Sequence, residues 1–225
     1  MNVNKGLTAF ALTTLLASSG PASATIIFNT GNQQYTNVNI AADVNQLTIV
    51  GDIGNTGIQM TFNTMIGPDG TTPVQMHGQH GVAFVESYHD STTNVHTGFS
   101  SLMLTPQAGY GFTAGDFALD QLDTLTSPTG FITLTGVDQF GNSTSTTEAI
   151  GRHGQNPYNF TTLNGELVTN IVITTPLTDL LVDIKQVSVN VAPIPEAPIP
   201  EPMSLVLLGG SLVGLGFARH RRHKT

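Results

Sequence analysis

Apolar residues recur through positions 25–192 in short runs that alternate with polar ones, and no stretch keeps the i, i+3, i+4, i+7 spacing of an amphipathic helix. Clusters of Gly, Asn, Asp and Pro punctuate the runs. The alternation predicts strands at 25–28, 35–40, 46–50, 58–64, 81–86, 99–104, 116–122, 130–136, 158–163, 167–174 and 180–191. Short strands in that number suit an all-β domain, a two-sheet jelly-roll-like β-sandwich. Turn signals stand at Gly67-Pro68-Asp69-Gly70, Ser127-Pro128-Thr129-Gly130, Gly141-Asn142 and Asn164-Gly165. Asn164 and Gly165 both tolerate positive φ, which predicts a two-residue hairpin joining 158–163 to 167–174. The last run is irregular: its apolar residues occupy even positions up to Ile184 and odd ones from Val187, a change of parity that a bulge at Lys185-Gln186 absorbs.

The two ends break from this pattern. At the N-terminus, Lys5 precedes an apolar stretch from Leu7 to Ala17, then Gly20-Pro21 and the small-residue pattern Ala22-Ser23-Ala24. That order predicts a secretory signal peptide over 1–24, cleaved after Ala24, because the stretch is far shorter than the roughly 20 residues of a spanning helix. At the other end, 193–202 is proline-rich and acidic, an extended spacer. Residues 203–218 are apolar and uncharged, and 219–225 are basic. The apolar segment predicts a single transmembrane helix with a cytoplasmic basic tail. Its sixteen residues reach about 24 Å against a hydrocarbon core of about 30 Å, so it needs thinning of the bilayer or snorkelling by Arg219.

This three-part end resembles the PEP-CTERM sorting signal. Pro200, Glu201 and Pro202 match the motif, 203–218 the membrane segment, and Arg219, Arg221 and Arg222 the basic cluster. The resemblance covers about a tenth of the chain. It implies recognition near Pro200–Pro202 by exosortase, a membrane-embedded transpeptidase-like enzyme of Gram-negative bacteria that make extracellular polysaccharide, with loss of the tail. The implied route runs through the general secretion machinery and an inner-membrane intermediate to the cell surface or extracellular matrix. A looser similarity joins Phe117-Ala118-Leu119-Asp120, Phe131-Ile132-Thr133-Leu134-Thr135-Gly136-Val137-Asp138, Tyr158-Asn159-Phe160 and the closing strand to PEP-CTERM ectodomains with jelly-roll or galactose-binding-like sandwiches. It implies a fold and no binding residue.

Charge sharpens the reading of the body. Five of the seven basic residues lie in the ends, so 25–202 holds Arg152 and Lys185 against fifteen carboxylates, a net of −13. Such a body repels phosphate backbones, and nucleic acid is excluded as a partner. The chain has no cysteine, which removes disulfides and thiolate metal sites. Carboxylates invite Ca²⁺, and Asp116, in a Gly-Asp-Phe-Ala-Leu-Asp-Gln-Leu-Asp run, and Asp183, beside the parity change, are the calcium candidates. The Asp116 run lacks EF-hand spacing and its glycine, and a solvated strand end or turn is its favoured alternative; for Asp183 the alternative is an exposed edge or a partner for Lys185. His77, His80, Glu86, His89, Asp90 and His96 are metal-ligand types, but Gly78 and Gly81 rule out a shared helix face and favour a solvated loop.

No Gly-x-Ser-x-Gly elbow occurs, and the carboxylates suited to glycoside hydrolysis, Glu86, Asp116, Asp120, Asp123 and Asp138, have no separation legible in sequence. Sugar recognition wants aromatic faces, and Tyr88, Tyr110 and Tyr158 are the candidate ligand platforms, with core or hairpin packing as the favoured alternative for each. The expectation is therefore an exported, non-enzymatic surface or matrix protein, structural or adhesive and polysaccharide-associated. The alternatives are a secreted glycan-active hydrolase and a metal-dependent enzyme on the same sandwich.

Overall fold

Alternation of buried and exposed side chains is what fixes these segments as strands: along Ser101–Pro106 every second residue is buried, and the same holds along Thr48–Ile53. The computed structural model describes residues 25–87, 89–90, 95–122, 129–151 and 155–196. The expected signal peptide, sorting motif, apolar segment and basic tail lie outside these residues, as do Tyr88 and Asp123. Among the described residues no helix is long and apolar enough to cross a membrane.

In chain order the strands are β1 (Ile26–Thr30), β2 (Thr36–Ile40), β3 (Val44–Gln46), β4 (Thr48–Ile53), β5 (Gln59–Ile66), β6 (Pro73–Val74), β7 (Met76–Gln79), β8 (Gly81–Val82) and β9 (Phe84–Ser87). They continue with β10 (His89–Asp90), β11 (Val95–His96), β12 (Ser101–Pro106), β13 (Tyr110–Gln121), β14 (Thr129–Asp138) and β15 (Ser143–Gly151). The last are β16 (Asn156–Thr162), β17 (Val168–Thr174) and β18 (Leu181–Pro193). The protein is all-β, as the alternation predicts, but its sheets are not separate. Hydrogen bonding runs β13-β17-β12-β5-β4-β2-β18 and returns to β13, closing a barrel whose neighbours are all antiparallel. Two contacts close the ring, Phe112 opposite Val168 and the pair Ser188 and Val189 opposite Asn37 and Thr36. Extra strands continue outward from it: β14-β15 from β17, β16-β1 from β13, and β9-β7-β3 from β18.

The core gathers Phe62, Phe99, Phe112, Phe117, Phe160 and Tyr158 with buried aliphatic side chains of the strands. Phe112 meets Phe160 edge to face at 6.0 Å, and Phe117 lies 6.2 Å from Tyr158. Aromatic pairs at such separations add about 1 kcal/mol each beyond the area they bury.

One local expectation is overturned. Asn164 and Gly165 do adopt left-handed φ of 60° and 74°. Yet the strands they join are not partners, because β16 lies between β1 and β13 while β17 pairs with β12 and β14. The turn is a corner between parts of the barrel, since each strand finds a longer partner elsewhere. The hairpin lies instead at β14-β15, nine residues in register from Thr129–Gly151 to Val137–Ser143. Its turn is fixed by Asp138, whose carboxylate accepts from the Phe140 and Asn142 amides, each at 2.8 Å.

The bulge at the parity change is present. Opposite β13, Lys185 pairs with Ala118 and Ser188 with Asp116, so three steps on β18 face two on β13, and Gln186 takes φ 55°. Here too β18 changes its other neighbour, from β9 at Asp183–Lys185 to β2 at Ser188–Val189.

Candidate functional site

A polar cleft opens where the bulge of β18 meets the connection between β1 and β2. Its floor is Asp116, on the outward face of β13 between the buried Gly115 and Phe117, and only 5% exposed. The Ser188 hydroxyl, directly opposite on β18, donates to Asp116 Oδ1, and the Gln33 backbone N–H donates to Oδ2 at 3.2 Å. The Tyr35 N–H donates to Ser188 Oγ at 3.1 Å, and Asn159 Nδ2 donates to the Gly31 carbonyl at 2.8 Å. The connection is thus pinned along its length, and the wall it forms is pre-organised.

Burial raises the Asp116 carboxyl above its ordinary value, opposed by the hydrogen bonds from Ser188 and Gln33. The Tyr35 phenol is raised as well, first by burial and then by the Asp116 charge. The cleft has a volume of about 420 Å³, and its walls carry the carboxamides of Asn32, Gln33, Gln34, Asn37 and Gln186, the ring of Tyr35, and Val82. Each carboxamide offers two donors and an acceptor in a plane. Asp116 alone among these lining residues is charged. A ligand rich in hydroxyls and free of negative charge is what such a surface can hold. A second cleft of about 330 Å³ draws on the same connection, lined by Thr30, Gly31, Ala149, Asn156, Pro157 and Tyr158.

A second polar group lies further along the same two strands. Asp120 and Asp183 are directly opposite on β13 and β18, and Glu86 is opposite Asp183 on β9. Lys185 pairs with Asp120 and approaches Asp183 at 3.6 Å, its ammonium 5.9 Å from the Phe84 ring. Burial drives the Asp183 carboxyl up to about 6 against the pull of Lys185, with the charges of Asp120 and Glu86 adding to the rise. The Lys185 ammonium is raised overall: burial lowers it, but its bonds to Asp120 and Asp183 prevail.

The sequence candidates distribute unevenly over this geometry. Asp116 is in the cleft, but its oxygens accept from protein donors, and Asp183 faces Lys185, so neither is arranged as a calcium ligand. Among the described residues no three His, Asp or Glu side chains converge in a way that could hold a metal ion. His77 Nδ1 is 2.8 Å from Asn45 Oδ1, and His89 is opposite His96 across β10-β11. Tyr158 is no platform: it is 1% exposed, and its hydroxyl donates to the Ala149 carbonyl at 2.8 Å. Tyr110 is half-buried at the start of β13, opposite Pro193. The tyrosine in the cleft is Tyr35, which sequence reasoning passed over. Its signal was the run Asn32-Gln33-Gln34-Tyr35, four side chains with hydrogen-bonding groups between two strands.

No protein-family model matches the chain, and no curated protein matches it. Solved structures with detectable similarity include an exo-β-agarase, at 13% identity and a TM-score of 0.36, covering 72% of this chain and 25% of that one. Another is the enzymatically active domain of tailspike protein 4 of bacteriophage CBA120, at 9% identity and a TM-score of 0.27, covering 76% of this chain and 20% of that one. The chain therefore spans a quarter or less of the length of either protein.

Proposed function

We propose that this chain is an exported preprotein whose jelly-roll-like β domain is carried to the cell surface by a PEP-CTERM-type signal and there holds uncharged polysaccharide in the Asp116 cleft. The observation that carries the reading is the lining of that cleft: five carboxamides, one half-buried tyrosine and a single buried carboxylate on a pinned wall. Carboxamides match sugar hydroxyls in pairs, and the phenol ring offers an apolar face for the other side of the sugar. A uronate or sulfated chain would bring negative charge against Asp116 and against a body of net −13. The role is adhesive or structural within the matrix, with exosortase and the secretion machinery as partners during maturation.

Retention of the purified protein on polysaccharide from the producing cells tests this reading. Neutral fractions are expected to retain it and uronate-rich fractions to pass it. Asn37→Ala with Gln186→Ala is expected to weaken retention at least about tenfold, because two hydrogen-bonding groups of about 1 kcal/mol each are removed. Equal retention of the double variant and the parent would refute the assignment of the cleft.

A glycan-cleaving reading has one observation in its favour. Asp183, raised to about 6, is directly opposite Asp120 on the neighbouring strand, and two facing carboxyls are what acid–base cleavage of a glycoside uses. Neither residue lines the cleft, and Lys185 engages both. Release of reducing ends from the retained polysaccharide, abolished by Asp183→Asn, would decide for cleavage.

A further inference from the structure

Thr25 and Glu166 meet where β1 begins its pairing with β16. The Thr25 backbone nitrogen donates to Glu166 Oε2 at 2.6 Å, and the Thr25 carbonyl accepts from the Leu163 N–H at 3.2 Å. From Ile26 onward β1 is in register with β16 residue by residue, and Ile26 is itself buried in the core. The carboxylate is placed there by the corner between β16 and β17. With Asn164 and Gly165 in left-handed φ, the Glu166 N–H turns back to donate to the Leu163 carbonyl at 3.2 Å. Glu166 is only 7% exposed. Among the described residues no Lys, Arg or His is paired with it.

A carboxylate so far from water, with one neutral amide as its donor, is poorly compensated. An ammonium at the same nitrogen would form a charge-assisted hydrogen bond, roughly twice as strong as a neutral one. We propose that Glu166 is the receptor for a free α-ammonium on Thr25, produced by hydrolysis of the peptide bond between Ala24 and Thr25. The proposal rests on the reading of residues 1–24 as a signal peptide cleaved after Ala24. In that hydrolysis the C–N bond breaks, water adds its hydroxyl to the Ala24 carbonyl carbon, and its hydrogen goes to the Thr25 nitrogen. The proton lost by the new Ala24 carboxyl at neutral pH is matched by the one the Thr25 amine takes up. The nitrogen already lies at ion-pair distance, so cleavage changes the charge on an existing contact and leaves the backbone where it is. Processing then strengthens the hold on β1, the outer strand beyond β16. The sequence around the cleavage point specifies where the protease cuts, and Glu166, over a hundred residues later, recognises that the cut has been made.

The test uses the full chain, expressed with its own N-terminus in a secreting host, and the processed protein recovered from it. Intact mass establishes whether the chain starts at Thr25. The pH dependence of α-amine acylation then reports the proton affinity of that amine. An ordinary α-amine titrates at about 7.7–8.0. Pairing with Glu166 is expected to move it up by a unit or more, so that acylation near pH 8 is at least about fourfold slower than for an unpaired amine, and near pH 7 about tenfold slower. Glu166→Gln is expected to restore the ordinary rate. The titration of the unaltered protein needs no variant and decides the matter even if Glu166→Gln fails to fold. A chain that starts at Thr25 with an ordinary α-amine overturns the pairing and leaves the cleavage reading standing. A chain that starts elsewhere overturns both.

Discussion

Asp183 is a carboxylate whose behaviour is decided by what surrounds it. Desolvation raises it to about 6, and neither the adjacent Lys185 nor its bond to that ammonium offsets the burial. In the unfolded chain the same group titrates near its ordinary value of about 4. Between those two values the folded protein binds the proton and the unfolded chain does not, so stability is highest below about pH 4 for this group and falls as pH rises through about 6. Asp183→Asn is expected to flatten that slope, which amounts to about 1–3 kcal/mol over the window, as measured by urea unfolding at about pH 4.5 and about pH 7.5. An unchanged slope in the variant would assign the pH dependence to other groups. Sequence marked Asp183 as a residue of interest because it adjoins the parity change, but the reason for its importance was illegible. Its neighbours Asp120 and Glu86 arrive from strands far away in the chain. The tyrosines teach the same lesson. Tyr158, beside Asn159, could be read as platform or core, and it fills the core, while Tyr35, which carried no such candidacy, opens onto the cleft.

At the scale of the element, β18 is where sequence and structure agree most closely. Its switch from even to odd apolar positions required a bulge, and Gln186 supplies it in a left-handed conformation that residues other than Gly, Asn and Asp adopt reluctantly. The irregularity bends the strand between β9 and β2 and puts the Gln186 amide and the Ser188 hydroxyl into the cleft. Gln186→Gly is expected to keep the fold and add about 1 kcal/mol of stability by relieving the left-handed φ, while weakening glycan retention. Gln186→Val is expected to cost about 1–2 kcal/mol, because a β-branched side chain is strained there. Equal chemical unfolding midpoints for the two variants would show that the bulge carries no strain. The corner at Asn164-Gly165 marks the limit of local inference. The turn residues specify the backbone conformation, and they do so here, but they do not specify which strands pair. The strand β15 shows the converse: Ser143–Gly151 alternates Thr144, Thr146, Glu148 and Ile150 toward one face, a legible pattern that its hydroxyl-rich composition obscured.

For the whole molecule, the reading divides into a destination carried by the ends and an activity carried by the body. Intact mass of the protein from membrane, surface and medium fractions is expected to begin at Thr25 and end near Pro202, with or without an added attachment. Mass that retains residues 203–225 in every fraction would make the chain a permanent tail anchor and end the sorting reading. The sequence by itself determined the all-β class, most of the longer strands, the bulge, the acidic body and the expectation of export. Those properties depend on periodicity, composition and the order of short segments, all of which are local along the chain. Only the tertiary structure decided that the sheets close into a barrel, that β16 and β17 part company, and that Asp116, Ser188, Tyr35 and Gln186 share one cleft. The same holds for Glu166 at the nitrogen of Thr25. Each of these joins residues from distant parts of the chain, and which strands pair is settled by competition for burial and hydrogen bonds across the whole domain, which no single segment encodes.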